Sequence, residues 1–190
     1  MRRECHHTQR ALADAQHDHV TGLLNRRTWE HAARTVWRHL DQPWVLGLVD
    51  MDDFKTINDR HGHHAGDEVL RATANRLRDQ LGPHATIGRY GGDELVFLTT
   101  YHTDGDTDQL QASLARPVQV NGIGAVSVGA AIGTVTPPPG TALAAALVAA
   151  DAAMYAAKRH PHTNHHKSPP ADLINPRSRS DLELTEVRPR

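Results

Sequence analysis

At 190 residues, with 38% hydrophobic residues, 23% charged residues and a formal net charge of −1, the chain has room for one domain with a proper core. The balanced charge excludes bulk attraction to nucleic acid, so a polyanion must be held at a local site if it is held at all. The longest apolar run, Ala142 to Ala153, is broken by Asp151 and too short to span a bilayer, while Arg2, Arg3 and Glu4 precede no apolar leader segment. Cys5 is the only cysteine and forms no internal disulfide, which fits a reducing, cytoplasmic setting.

Residues 1–17 contain Leu12 and several alanines and are expected to form a weak lead-in helix. Thr21-Gly22-Leu23-Leu24-Asn25 reads as a turn and cap, after which Trp29, Ala32, Ala33, Val36, Trp37 and Leu40 recur at helical spacing, with both tryptophans in the core. Asp41-Gln42-Pro43 breaks that pattern. The apolar run Val45 to Val49 then ends abruptly in Asp50, as a buried central strand does when it delivers an acid to its C-terminal edge. Lys55 to His64 is a polar loop of donors suited to phosphate and base recognition. His61, His63 and His64 lie in it, but no cysteine is near and no fourth ligand has suitable spacing, so a zinc site is not expected. From Asp67, the positions Val69, Leu70, Ala72, Ala74, Leu77 and Leu81 predict an amphipathic helix stopped by Gly82-Pro83.

Ile87-Gly88-Arg89-Tyr90 and Leu95-Val96-Phe97-Leu98 flank Gly91-Gly92-Asp93-Glu94, which predicts a hairpin with a two-residue glycine turn at positive φ. Tyr101 to Asp108 reads as a polar loop and Leu110 to Leu114 as a short helix. Pro117 to Val120 and Gly124 to Val135 read as a second hairpin across Asn121-Gly122. Pro137-Pro138-Pro139-Gly140 ends the sheet, and Thr141 is expected to cap a final alanine-rich helix running to about Arg159. Beyond His160 the composition shifts to Pro, His, Ser and Arg, the signature of a disordered tail over 161–190. This order of elements predicts an α+β domain with a largely antiparallel sheet.

Adjacent acids repel unless a cation or proton is supplied, so Asp93-Glu94 at the mouth of a sheet suggests a divalent metal. Asp50 arrives at a strand end of its own, and carboxylates from separate strands suit a hard ion such as Mg²⁺ that also bridges substrate phosphates.

Arg89-Tyr90-Gly91-Gly92-Asp93-Glu94-Leu95, with Asp50-Met51-Asp52-Asp53-Phe54-Lys55-Thr56-Ile57-Asn58-Asp59, resembles the GGDEF domain of diguanylate cyclases, with Leu95 where Phe is usual. Further blocks agree in order: Asp18 to Arg27, Gly62 to Asp67, Val126 to Ala130 and Ala150 to Lys158. The resemblance covers about residues 18–160 and implies a palm-like nucleotidyl cyclase fold, a central mostly antiparallel sheet flanked by helices. It further implies a homodimer that condenses two GTP into cyclic di-GMP with Mg²⁺ or Mn²⁺; no nucleic-acid partner and no membrane span are expected.

By resemblance, Asp50, Asp93 and Glu94 with the carbonyl of Met51 ligate the metal, and Asp93 or Glu94 deprotonates the attacking hydroxyl. Asn58 and Asp67 match guanine-reading positions, and a carboxylate does accept from the N1–H and exocyclic amine that adenine lacks. Phe54, Lys55 and Lys158 match substrate-binding positions. The pattern departs at Asp53, usually aromatic, and at Pro161 and His162, where a Gly-Arg-Asn ending and a second phosphate-binding Arg are usual. Gly82 and Ala85 stand where an inhibitory Arg-x-x-Asp is found, so no inhibitory site is expected. The function is thus an active cyclase or, alternatively, a catalytically weak module that binds GTP or regulates. A palm-type polymerase or nuclease fragment is disfavoured by Asn58, Asp67 and the Asp18 to Arg27 block.

Overall fold

The computed structural model describes residues 15–38, 44–100 and 106–159. Cys5, Leu40, Pro161, His162, most of the lead-in, Tyr101 to Gly105 and the 161–190 tail lie outside the described residues. Strand β1 (Leu24–Asn25) leads into helix α1 (Arg26–Trp37), and β2 (Val45–Met51) is followed by α2 (Phe54–His61) and α3 (His63–Leu81). Strands β3 (Thr86–Arg89) and β4 (Glu94–Thr99) form the signature hairpin. Helix α4 (Asp106–Leu114), strands β5 (Val118–Val120), β6 (Gly124–Val126) and β7 (Ala130–Val135), and helix α5 (Leu143–Arg159) follow.

The main sheet runs β1-β3-β4-β2-β7, antiparallel throughout except where β1 lies parallel to β3. The central strands β2 and β4 are buried on both faces, and the period of two sorts their residues. Leu46, Leu48, Val96 and Leu98 meet Trp29 and Ala33 of α1 and Ala146, Ala150 and Met154 of α5. Val45, Val49, Leu95 and Phe97 meet Ala74 and Leu77 of α3 and Leu110 and Leu114 of α4. A third cluster joins α2 and α3 to the small β5-β6 sheet through Phe54, Ile57, Val69, Val118, Val120 and Val126. At Gly133 of β7 an added Cβ would fall on the backbone of α5 at Ala150 and Met154, so that strand and helix approach as closely as main chains can.

Several sequence expectations hold locally. Asn25 caps α1, its side chain accepting from the Thr28 N–H at 3.0 Å. Trp29 is fully buried and donates its indole N–H to the Thr86 carbonyl at 2.9 Å, while Trp37 is partly buried and donates to the Thr141 carbonyl at 2.7 Å.

Others are corrected. The expected loop from Lys55 to His64 is helix α2 followed by the first turn of α3, because Phe54 and Ile57, three residues apart, bury one face despite their charged neighbours. Helix α3 starts at His63, so Asp67 lies in its second turn rather than at its N-terminus. Helix α4 starts at Asp106, within the expected loop. The signature turn spans Tyr90 to Asp93, with the Tyr90 and Gly91 N–H groups donating to the Glu94 carbonyl at 2.8 and 3.2 Å. Neither Gly91 nor Gly92 has positive φ. Gly91 is instead required by proximity, since a Cβ there would fall on the Glu94 carboxylate. The strand expected over Gly124 to Val135 divides between the two sheets at Ser127 to Gly129. Thr141 does not cap α5 with its hydroxyl, which donates back to the Pro138 carbonyl at 2.7 Å.

Candidate active site

The end of β2 and the signature turn are joined through the main chain. Asp50 stands opposite Glu94 in the β2-β4 ladder, and the Met51 N–H donates to the Asp93 carbonyl at 3.3 Å. One residue further, the Asp52 N–H donates to the Gly129 carbonyl at 2.9 Å, and its carboxylate lies where a Cβ on Gly129 would fall. Asp50 and Asp52 share the strand parity of Leu46 and Leu48, which face α1 and α5. From the last turn of α5, Lys158 Nζ donates to Asp50 Oδ1 at 2.6 Å. The Asp50 side chain is 14% exposed and that of Lys158 45%.

The charges here are crowded and mostly negative. Burial pushes the Glu94 carboxyl up, reinforced by Asp50, Asp93 and Asp151, with Arg26 opposing. Burial likewise raises Asp52, Lys158 opposes, and Asp50 and Asp53 add to the rise. The Lys158 ammonium is held above its ordinary value first by its hydrogen bond to Asp50, then by the charges of Asp50, Asp52 and Asp93, against the effect of burial. Among the described residues no group of three or more His, Cys, Asp or Glu is arranged to hold a metal ion. Asp50 and Glu94, opposite each other on neighbouring strands, are hard oxygen donors in number for part of a Mg²⁺ shell.

Helices α2 and α3 carry the other candidates and approach each other at Asn58 and Gly66. The Asn58 amide oxygen lies where a Cβ on Gly66 would fall, next to Asp67 in sequence. Phe54 is buried in the core cluster that joins α2 and α3. Lys55 is exposed on the first turn of α2 and makes no ion pair with a described residue, so the structure does not join it to the carboxylates. Asp53 adopts φ 52°, the left-handed region that Asp tolerates better than most residues, and is the non-glycine residue there among those described.

Sequence reasoning gave no role to Asp52, Asp151, Arg26 or Arg89. The i, i+2 spacing of Asp50 and Asp52 and the seven-residue spacing of Asp151 and Lys158 are the signals that place each pair on one face. Arg26 stacks over the Tyr90 ring at 4.2 Å and pairs with Glu30 at 3.2 Å. The Arg89 guanidinium links two segments: Nη1 donates to both Asp18 carboxylate oxygens at 3.1 and 3.0 Å, and in the signature turn Nε donates to the Gly91 carbonyl at 3.2 Å and Nη2 to the Gly92 carbonyl at 2.6 Å. Gly82 and Ala85 line a separate cleft of about 720 Å³ between α1, the end of α3 and β3.

A family profile described as diguanylate cyclase, GGDEF domain, matches residues 15–164. An uncharacterized 19.3 kDa protein of Streptomyces ambofaciens is 47% identical over 152 residues, covering 78% of this chain and 81% of that protein. Diguanylate cyclase DgcP of Escherichia coli K12 is 36% identical over 159 residues, covering 78% of this chain and 46% of DgcP, so the chain spans about half of that relative's length. Among solved structures, diguanylate cyclase SiaD of Pseudomonas aeruginosa, in complex with its activator SiaC, superposes with a TM-score of 0.71 at 30% identity, over 84% of this chain and 65% of SiaD. No described helix is long and apolar enough to cross a membrane.

Proposed function

The chain belongs to the diguanylate cyclase GGDEF domain family, and on that premise we propose that it condenses two GTP into cyclic di-GMP and two pyrophosphates, working as a homodimer. The observation that carries this reading is the meeting of Asp50, at the end of β2, with Asp93 and Glu94 of the signature turn and with Lys158.

A divalent ion would be held by Asp50, by Asp93 or Glu94, and by the Met51 carbonyl, with triphosphate oxygens and water filling the shell. Bound there, it supplies positive charge against the phosphates. The protein's own residues supply the rest. Asp93 or Glu94 accepts the proton of the attacking 3′-hydroxyl. Nothing lies within 4 Å of a Cβ built on Gly92, so the main chain there is open to a phosphate. Lys55 and Lys158 offset triphosphate charge, and Phe54 contributes main chain at the start of α2. Asn58 and Asp67 read guanine from adjoining helices, favouring GTP over ATP. Gly82 and Ala85 stand where the Arg and Asp of the inhibitory motif would be, so product inhibition through that motif is not part of this function.

A second reading, a module that binds GTP with little turnover, is favoured by one observation: the Asp53 charge adds to a site already rich in carboxylates. Incubating the purified chain with GTP and Mg²⁺, and reading cyclic di-GMP and pyrophosphate by chromatography, separates the two. Product from the wild type and none from Asp93→Ala is the expected outcome. GTP binding without product at high protein concentration selects the second reading.

A further inference from the structure

We propose that Lys158 is shared between two anions, Asp50 and the triphosphate, so that it opposes a divalent cation bound alone and favours cation and nucleotide bound together. This rests on the metal and nucleotide roles proposed above. The contact itself is direct: Lys158 Nζ lies 2.6 Å from Asp50 Oδ1, a short charge-assisted bond. A cation seeking that oxygen must displace the ammonium, and if both stay they repel at one carboxylate.

The two partners differ in freedom. Asp50 sits within a sheet strand with its side chain 14% exposed, so the carboxylate stays where the ladder puts it. Lys158 is 45% exposed on a flexible four-carbon stem, and it is the side that can move. Its root is fixed, because α5 lies against Gly133 too closely to slide toward the sheet. Among the described residues no other cation is paired with the site carboxylates: Arg26 is engaged with Glu30 and Tyr90, and Arg89 with Asp18. A triphosphate arriving with the metal gives the displaced ammonium a new partner. The lysine thus penalises the metal alone and rewards the pair, which makes nucleotide and metal binding mutually supportive.

Mn²⁺ serves as the probe, its free concentration read by electron paramagnetic resonance with the full chain and no nucleotide. Lys158→Met, which keeps the apolar stem, is expected to bind Mn²⁺ about threefold to fivefold more tightly than wild type. Arg159→Met removes the same charge one residue away without breaking an ion pair to Asp50, and it should give a clearly smaller change. With Mn²⁺ and 3′-deoxy-GTP, which has no attacking hydroxyl, Lys158→Met should bind the nucleotide about tenfold more weakly. Unchanged or weaker Mn²⁺ binding by Lys158→Met, or an equal gain in Arg159→Met, overturns the proposal. Asp50→Asn separates this from failure of the underlying reading: if it leaves wild-type Mn²⁺ affinity intact, Asp50 is no metal ligand and both readings fall together.

Discussion

Asp18 and Arg89 form an ion pair at 3.0 Å, 14% and 17% exposed, and each has further partners that a substitution would strand. Burial would raise the Asp18 carboxyl, but the Thr21 hydroxyl and N–H and the Arg89 guanidinium outweigh it and hold it below the ordinary 3.8. A carboxyl depressed by folding stabilises the protein above its unfolded value and loses that contribution as pH falls through the folded one. Asp18→Asn should cost about 2 kcal/mol at neutral pH, by urea denaturation, with the gap to wild type narrowing as pH falls below the ordinary 3.8. A constant gap across that range would refute the ionic origin. Asp50, Asp93 and Glu94 stood out as candidates in the sequence because each is an acid at the end of an apolar run or beside a glycine turn, whereas Asp18 was only the first residue of a matching block. Asp52, Asp151 and Arg26 did not stand out, since their importance lies in which charges converge on Glu94 and Lys158 across elements, and spacing along one element does not report that.

At the scale of elements, the site depends on how closely α5 lies against β7. Gly133→Ala would force a methyl group into the backbone at Ala150 and Met154, a neighbour that cannot rotate away. The expected cost is about 2–3 kcal/mol of stability, as for overpacking elsewhere, seen as a lower midpoint in thermal unfolding. Because Lys158 rides on α5, the same variant should bind GTP more weakly, whereas a surface change such as Ala144→Ser should leave both unaltered. Strands β2, β3 and β4 were legible because apolar runs bounded by glycines and acids have few other readings. Helix α2 was not, because two buried residues among eight, Phe54 and Ile57, make too short a stripe to stand out from Lys, Asn, Asp and Arg. The break between β6 and β7 was hidden for a different reason: a continuous β-prone stretch does not announce that its halves pair with different partners.

At the scale of the molecule, the mostly antiparallel sheet followed from the order of elements, and the mixed edge from β1 did not, since a two-residue strand carries no periodicity. The chain carries one signature turn and one Asn58-Asp67 pair, whereas the proposed reaction joins two nucleotides. Two copies must then face each other, and below the dimer dissociation constant the rate should rise with about the square of protein concentration. A tenfold dilution in that regime should reduce the rate about a hundredfold. A rate strictly proportional to concentration over the whole range would show that one chain suffices.

The Arg89 guanidinium ties two parts of the molecule to one point. One rigid planar group holds the Asp18 carboxylate on one side and the Gly91 and Gly92 carbonyls on the other, and Gly91 in turn abuts Glu94. His17 bridges Leu24 of β1 and the Ala15 carbonyl accepts from the Asn25 side chain, so the segment before β1 is held both at the sheet edge and, through Arg89, at the signature turn. Removing the Arg89 side chain would therefore free its attachments to Asp18 and to the Gly91 and Gly92 carbonyls at once.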